Sequence, residues 1–238
     1  MLSHEDSVTA ELVSVAILAH GHARLLPAAI ESVLGQGDPE LELLVVEHEP
    51  SDQVAEILDR YRDTPLQHLA SGGDTPGAAR NAGVSAAAGS LLAFLDADDL
   101  WPPRRLAAGR SALESDPDLH AAFGRVQTFQ DRPGTPIAEP AEAAKVAGPT
   151  QTARMITAAV FRRASLERVG PFDAETVLGS EIEWVARAED AGLRFGWLDD
   201  VVLLRRSHDE NTTRLHRREY GDYARVLKRV IDRRRGRA

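Results

Sequence analysis

The chain of 238 residues contains no cysteine. That excludes disulfides, thiolate metal sites and cysteine nucleophiles, and it fits a reducing compartment. No apolar run approaches the ~20 residues that span a bilayer. Residues 1–11 are polar and acidic, lack the pattern of a secretory signal, and are expected to be a flexible N-terminus. These absences predict a cytoplasmic protein. No G-x-G-x-x-G follows the first apolar run, where Ala19-His20-Gly21-His22 stands instead, so a dinucleotide-binding dehydrogenase fits poorly. A nucleotidyltransferase would need a glycine-rich basic loop at the same place, and only Arg24 is basic there.

What is present is ordinary in bulk and uneven in detail. Hydrophobic residues make up 43% and charged residues 27%, as in a soluble globular protein with one sizeable core. The net charge of −9 hides an asymmetry. From Arg214 onward nine Arg and one Lys face three acids, so this tail carries +7 and the rest about −16. An acidic body argues against nucleic-acid binding.

Apolar runs and helical spacings alternate along the first hundred residues. Val13 to Ala19, Leu41 to Val46, Leu66 to Leu69 and Leu91 to Leu95 read as strands. Leu25 to Leu34, Asp52 to Tyr61 and Ala78 to Ala88 read as helices between them. That β-α-β-α-β-α-β order predicts a largely parallel sheet with helices on both faces. Beyond it, helices are expected over Arg104–Ser115, Ser165–Val169 and Glu181–Ala191. Strands are expected within Leu119–Phe129, Met155–Phe161 and Phe195–Leu204. Gln130 to Pro149 has no clear period and reads as a mobile loop. Arg217 to Arg235 carries Tyr220, Tyr223, Leu227, Val230 and Ile231 at spacings of three and four, an amphipathic helix. The expected organisation is one domain over 12–213, split into 12–103 and 104–213, with a basic C-terminal helix over 214–238.

The most informative stretch is Leu91-Leu92-Ala93-Phe94-Leu95-Asp96-Ala97-Asp98-Asp99-Leu100-Trp101. A buried strand ends abruptly in three carboxylates. Ligands of open α/β sheets bind beyond the carboxyl ends of strands. Asp96 and Asp98 are two apart and can converge on one object. Clustered carboxylates repel one another, and a hard divalent cation such as Mg²⁺ or Mn²⁺ relieves that repulsion. The plain alternative is a solvated acidic turn, or Asp99 as the cap of the next helix.

Further motifs line up with this one. Gly77-Ala78-Ala79-Arg80-Asn81-Ala82-Gly83 precedes it. Phe161-Arg162-Arg163, Val169-Gly170-Pro171-Phe172-Asp173, Glu181-Ile182-Glu183 and His208-Asp209-Glu210-Asn211 follow. Together they resemble the family-2 glycosyltransferases of the GT-A fold, over about Val13 to Asn211. The resemblance implies a GT-A-like, Rossmann-type α/β fold with a mostly parallel sheet flanked by helices. It implies metal-dependent transfer of a sugar from a nucleotide-diphosphate sugar to an acceptor, with inversion and with Mn²⁺ or Mg²⁺. Asp98, Asp96 and His208 would meet the metal. Ala19, His20, Glu47, Arg80, Asp96, Ala97 and Asp98 would meet the donor, a UDP-sugar by expectation. Glu181 would be the general base, with Glu183 its rival.

Two departures from the family pattern bear on the donor base. Glu47-His48-Glu49 stands where an aspartate pair is common, and Ala19-His20-Gly21-His22 stands where a Pro-x-Tyr-Asn turn is common. They leave room for a non-catalytic sugar-nucleotide-binding module. The basic tail has three readings: packing on the core or on a second copy, contact with an anionic membrane surface, or a solvated face.

Overall fold

The computed structural model describes residues 11–19, 21, 23–48, 50–131, 136–208 and 220–236. The first half alternates as the sequence predicts. The elements are β1 (Val13–Ala19), α1 (Leu26–Leu34), β2 (Leu41–Glu47), α2 (Asp52–Leu58), β3 (Leu66–Ala70), α3 (Pro76–Ala86) and β4 (Leu91–Asp96). Local chemistry starts these helices. Ser51 caps α2 by accepting from the Val54 amide at 3.3 Å. Thr75 caps α3 by accepting from the Ala78 amide at 3.1 Å, with Pro76 next in line. Proline suits that position because its missing N–H has no intrahelical partner there.

The second half holds α4 (Arg105–Ser115), β5 (Ala121–Gln130), α5 (Pro140–Val146), β6 (Gln151–Thr152), β7 (Ala159–Arg162), α6 (Arg163–Val169), α7 (Ser180–Asp190), β8 (Phe195–Ser207) and α8 (Tyr220–Arg235). The strands form one sheet in the order β3-β2-β1-β4-β7-β5-β6, with β8 on β5. Pairing is parallel among β3, β2, β1 and β4, and between β5 and β8. Strand β7 runs antiparallel to both β4 and β5.

Alternation along β1 and β4 sorts the core into two layers. Val15, Ile17, Leu91, Ala93 and Leu95 face one side, against Ile30 of α1 and Leu106 of α4. Ala16, Leu18, Leu92 and Phe94 face the other, against Leu166 of α6 and Trp184 of α7. On that second side Phe94, Phe161, Phe172 and Trp184 form a chain of ring contacts, with centroids 5.2 to 6.4 Å apart. Asp96 has the parity of Leu92 and Phe94, so its carboxylate is directed to the α3 and α7 side. The register pairs Leu18 with Asp96 and Ala19 with Glu47. Three strand ends therefore finish level, at one edge of the sheet.

The structure corrects several local readings. Gln130 to Pro149 is not a featureless loop: it contains α5, whose Ala143 packs with Ile137, Leu100, Phe129 and Leu204 in a third cluster. Too few apolar positions lie there to set a period. Met155 to Phe161 is a strand only from Ala159, because Ile156 to Ala158 form a 3-10 turn. Phe195 onward is one strand of 13 residues. Asp99 caps no helix, since α4 begins only at Arg105.

Gly77 serves a close approach. A Cβ there would lie 2.0 Å from the carbonyl oxygen of Asp173. Asn81 seals the same seam by donating to the carbonyl of Phe172 at 2.9 Å and accepting from its amide at 2.8 Å. Residues 172–174 are thereby fixed against α3, next to the level strand ends.

Candidate active site

A cavity of about 280 Å³ opens at those strand ends. Leu18, Ala19 and His48 form one part of its wall. Asp96, Ala97, Asp98 and Asp99 line it, as do Arg80, Ser180 and Glu181. Met155, Arg205 and Tyr223 complete it.

Asp96, Asp98 and Asp99 each direct a carboxylate oxygen to one region, all within 4.8 Å of one another. Asp98 Oδ2 also meets His208 Nε2 at 2.9 Å. Asp99 is only 3% exposed and accepts the amide of Arg206 at 2.8 Å. Arg206 is itself buried and donates to the carbonyl of Asp98 at 2.6 Å and of Ile137 at 2.7 Å, and to the Asp131 carboxylate. Through it β8 holds the acidic turn in shape.

The electrostatics of the cluster fit a cation. Burial, then the neighbouring Asp98 and Glu181, push the Asp96 carboxyl up to about 6 against the pull of Arg80 and Arg205. Burial and the other two carboxylates push Asp99 well above the ordinary range, against the Arg206 amide. The oxygen-rich donor set suits Mg²⁺ or Mn²⁺. A raised folded-state pKa means that the native cluster holds protons more readily than the unfolded chain. Metal-free stability from Asp96 is therefore lost as pH climbs through about 6, and a cation bound there, competing with protons, would restore it. The rise in melting temperature on adding Mn²⁺ is expected to be at least about twofold larger at pH ~7.5 than at pH ~5.5. Equal shifts at the two pH values would contradict this.

Glu181 lies in the first turn of α7. Its Oε2 accepts the Ile156 amide at 3.4 Å and faces Arg80 at 3.8 Å. Arg80 is a buried side chain. It reaches Ser180 Oγ at 3.5 Å, lies over the Phe172 ring, and its Nε has no hydrogen-bond partner.

Glu183 is turned the other way. It is 8% exposed and pairs with Arg187 at 2.8 Å and with Arg233 of α8 at 2.9 Å. It does not line the cavity, because two helical residues further on the side chain is rotated ~200° around the axis. Glu47 is also outside the lining. It accepts the Ser51 amide at 3.0 Å and hydroxyl at 2.8 Å, and meets His68 at 3.1 Å. His48 takes its place on the wall. His20, His22, Glu49, Asp209, Glu210 and Asn211 lie outside the described residues, as do residues 1–10. Sequence reasoning missed Ser180, Met155, Arg205 and Tyr223 as wall residues.

The tail helix packs on the body of the chain through ion pairs. Arg229 meets Asp173 at 2.6 Å, and Arg233 and Arg234 each meet Asp190 at 2.9 Å. Leu227 and Ile231 remain exposed on its outer face. Among the described residues no helix is long and apolar enough to cross a membrane.

Sheet order, cavity and acidic strand end define a GT-A architecture, and comparison with known proteins agrees. Residues 14–170 match the model for glycosyl transferase family 2. The chain belongs to that family. It is 34% identical over 97 residues to an uncharacterized glycosyltransferase of Nostoc, a match covering 40% of the chain and 30% of that protein. It thus spans under a third of that relative's length. Glycosyltransferase AglE of Haloferax volcanii is 27% identical over 207 residues, covering 82% of the chain and 66% of that protein. The mannosyltransferase PcManGT from Pyrobaculum calidifontis, solved with GDP-Man and Mn²⁺, superposes with a TM-score of 0.70. It is 20% identical, over 94% of this chain and 65% of that one. S. aureus TarS 1-349 with UDP gives 0.67 at 18% identity, over 92% and 64%.

Proposed function

We propose that this chain transfers a sugar from a nucleoside-diphosphate donor to an acceptor hydroxyl, with inversion and with Mn²⁺ or Mg²⁺. The observation that carries the reading is the convergence of three carboxylates at the end of β4 in one cavity that Glu181 also lines. The complexes of PcManGT with GDP-Man and of TarS with UDP support a nucleotide-sugar donor. A UDP-sugar is the first donor to try.

Asp96 and Asp98 would hold the cation, with His208 beside Asp98. When bound, the ion supplies Lewis acidity that stabilises charge on the departing diphosphate. Ala19, Ala97 and His48 form the donor end of the wall, and Glu47 braces the Ser51 turn behind His48. Arg80, buried and with Nε unpaired, supplies positive charge beside Asp96. At the acceptor end Glu181 takes the proton of the attacking hydroxyl as its oxygen bonds to the anomeric carbon. The bond from that carbon to the diphosphate oxygen breaks on the opposite face, and the nucleoside diphosphate leaves with its electrons. One base and one direct displacement invert the centre.

A melting-temperature screen of sugar nucleotides, with and without Mn²⁺, tests the assignment. One donor is expected to stabilise the folded chain by several degrees only when Mn²⁺ is present. A panel in which no sugar nucleotide shifts the transition under either condition would remove the proposal.

A further inference from the structure

Helix α8 lies beyond residue 170, where the family match ends, yet it forms part of the cavity. Tyr223 lines the wall beside Gly179, Ser180 and Glu181. Gly179 has φ +91°, a left-handed conformation open to glycine, and it turns the chain into α7. Tyr223 Cδ1 and Val226 Cγ2 both lie 3.3 Å from the point a Cβ on Gly179 would occupy. The helix therefore packs directly on the turn that leads to Glu181.

One residue before Tyr223, Asp222 is 3% exposed. Its Oδ2 accepts the amide of Val177 at 3.1 Å and of Leu178 at 3.3 Å. Its Oδ1 accepts Arg225 of the same helix. Burial alone would raise this carboxyl, but the two amides and Arg225 outweigh burial and hold it below the ordinary range. Docking a helix needs only apolar contact and matched surface charge, and α8 already has both in Val226, Val230 and its arginines. A carboxylate oxygen on two consecutive amides adds something else: it fixes the backbone at 177–178. Three residues later the chain reaches Glu181. That side chain's own contacts are long, at 3.4 and 3.8 Å, so the backbone anchor governs its place. A misplacement of about 1 Å in a reacting group can cost ~10²-fold in rate.

We propose that α8 positions the base of the transfer reaction: Asp222 clamps residues 177–181 through two backbone amides and so sets where the Glu181 carboxylate stands in the cavity. Asp222 does not line the cavity and is a positioning residue. The inference rests on the reading of Glu181 as that base.

The test compares Asp222→Ala with Asp222→Asn, which keeps an oxygen able to accept both amides. Leu227→Ser serves as control, since Leu227 is 51% exposed on the outer face of the same helix. Hydrogen exchange within 177–181 is expected to quicken by ~10-fold or more in Asp222→Ala, less in Asp222→Asn, and not in the control, with β4 unchanged in all three. Nucleoside diphosphate release from the donor found by the screen, with water or methyl glycosides as acceptor, is expected to fall ~10-fold or more in Asp222→Ala at unchanged donor Kd. Asp222→Asn should recover part of that loss. In a Glu181→Gln background the same replacement should cost under ~2-fold further, because both changes act through one carboxylate. Unchanged exchange within 177–181 overturns the clamp. Multiplying losses overturn its action through Glu181. A wild-type chain that binds donor but never releases nucleotide removes the base, and this inference with it. A chain that binds no sugar nucleotide sinks the transferase reading instead, and the exchange result then still decides whether Asp222 holds the segment.

Discussion

Replacing Asp98 with alanine is expected to abolish Mn²⁺-dependent donor binding and to lower turnover by about 10³-fold. The argument begins with charge. Asp98 is the middle carboxylate of a cluster whose candidate ligand oxygens lie within 4.8 Å of one another, and it also meets His208, at 2.9 Å. Its loss removes a ligand oxygen and the anchor of the imidazole together. Changing a residue that merely orients a metal ligand costs roughly 10- to 100-fold in metal affinity, so deleting a ligand should cost at least ~100-fold. Lewis-acid stabilisation of a leaving group is worth several kcal/mol, and about 4 kcal/mol corresponds to the ~10³ in rate. Asp98→Asn separates charge from shape, because it keeps one oxygen and the side chain's size while removing the second oxygen and the charge. Titration with Mn²⁺ at fixed nucleotide, read by calorimetry, gives the affinity. A variant that retains wild-type Mn²⁺-dependent binding would end the metal assignment.

Replacing Glu181 with glutamine should have the opposite profile. Donor Kd should stay within about twofold, since the contacts of this side chain are to the Ile156 amide and Arg80 and the three aspartates are left in place, while turnover should fall by roughly 10²–10⁴, the usual worth of a general base. Glutamine preserves size and can still accept the Ile156 amide, so the wall should keep its form. Steady-state kinetics with the identified donor would register the change in kcat. Full activity would return the role to another group. Glu183 is poorly placed to take it, because it is buried between Arg187 and Arg233 and faces α8. Its replacement should instead loosen the contact between α7 and α8.

The two glutamates illustrate what a sequence can and cannot say. They sit two residues apart at the start of one helix, both acidic and both compatible with the helix dipole. Nothing in their spacing ranks them. The family resemblance puts Glu181 first, and what the fold adds is that Arg233 of α8 pairs with Glu183, which does not line the cavity. Glu47 is a similar case. Its place at the end of β2 was legible, but Ser51 and His68 draw its carboxylate away from the cavity. Arg80 went the other way. Its alanine-rich helix gave no sign of burial, yet packing of α3 against Phe172 and Ser180 puts the guanidinium inside the wall.

By itself the chain determined the alternating first half, the parallel strands with their two-sided burial, and the acidic cluster at the end of β4. Those features are local or periodic: a continuous apolar run demands burial on both faces, and alternation along it aims Asp96 at one of them. Tertiary structure alone decided the antiparallel insertion of β7, the wall residues Met155, Arg205 and Tyr223, and the engagement of the basic tail with α7. These depend on contacts between segments far apart in sequence, where loop closure and charge pairing, not local preference, select the partner.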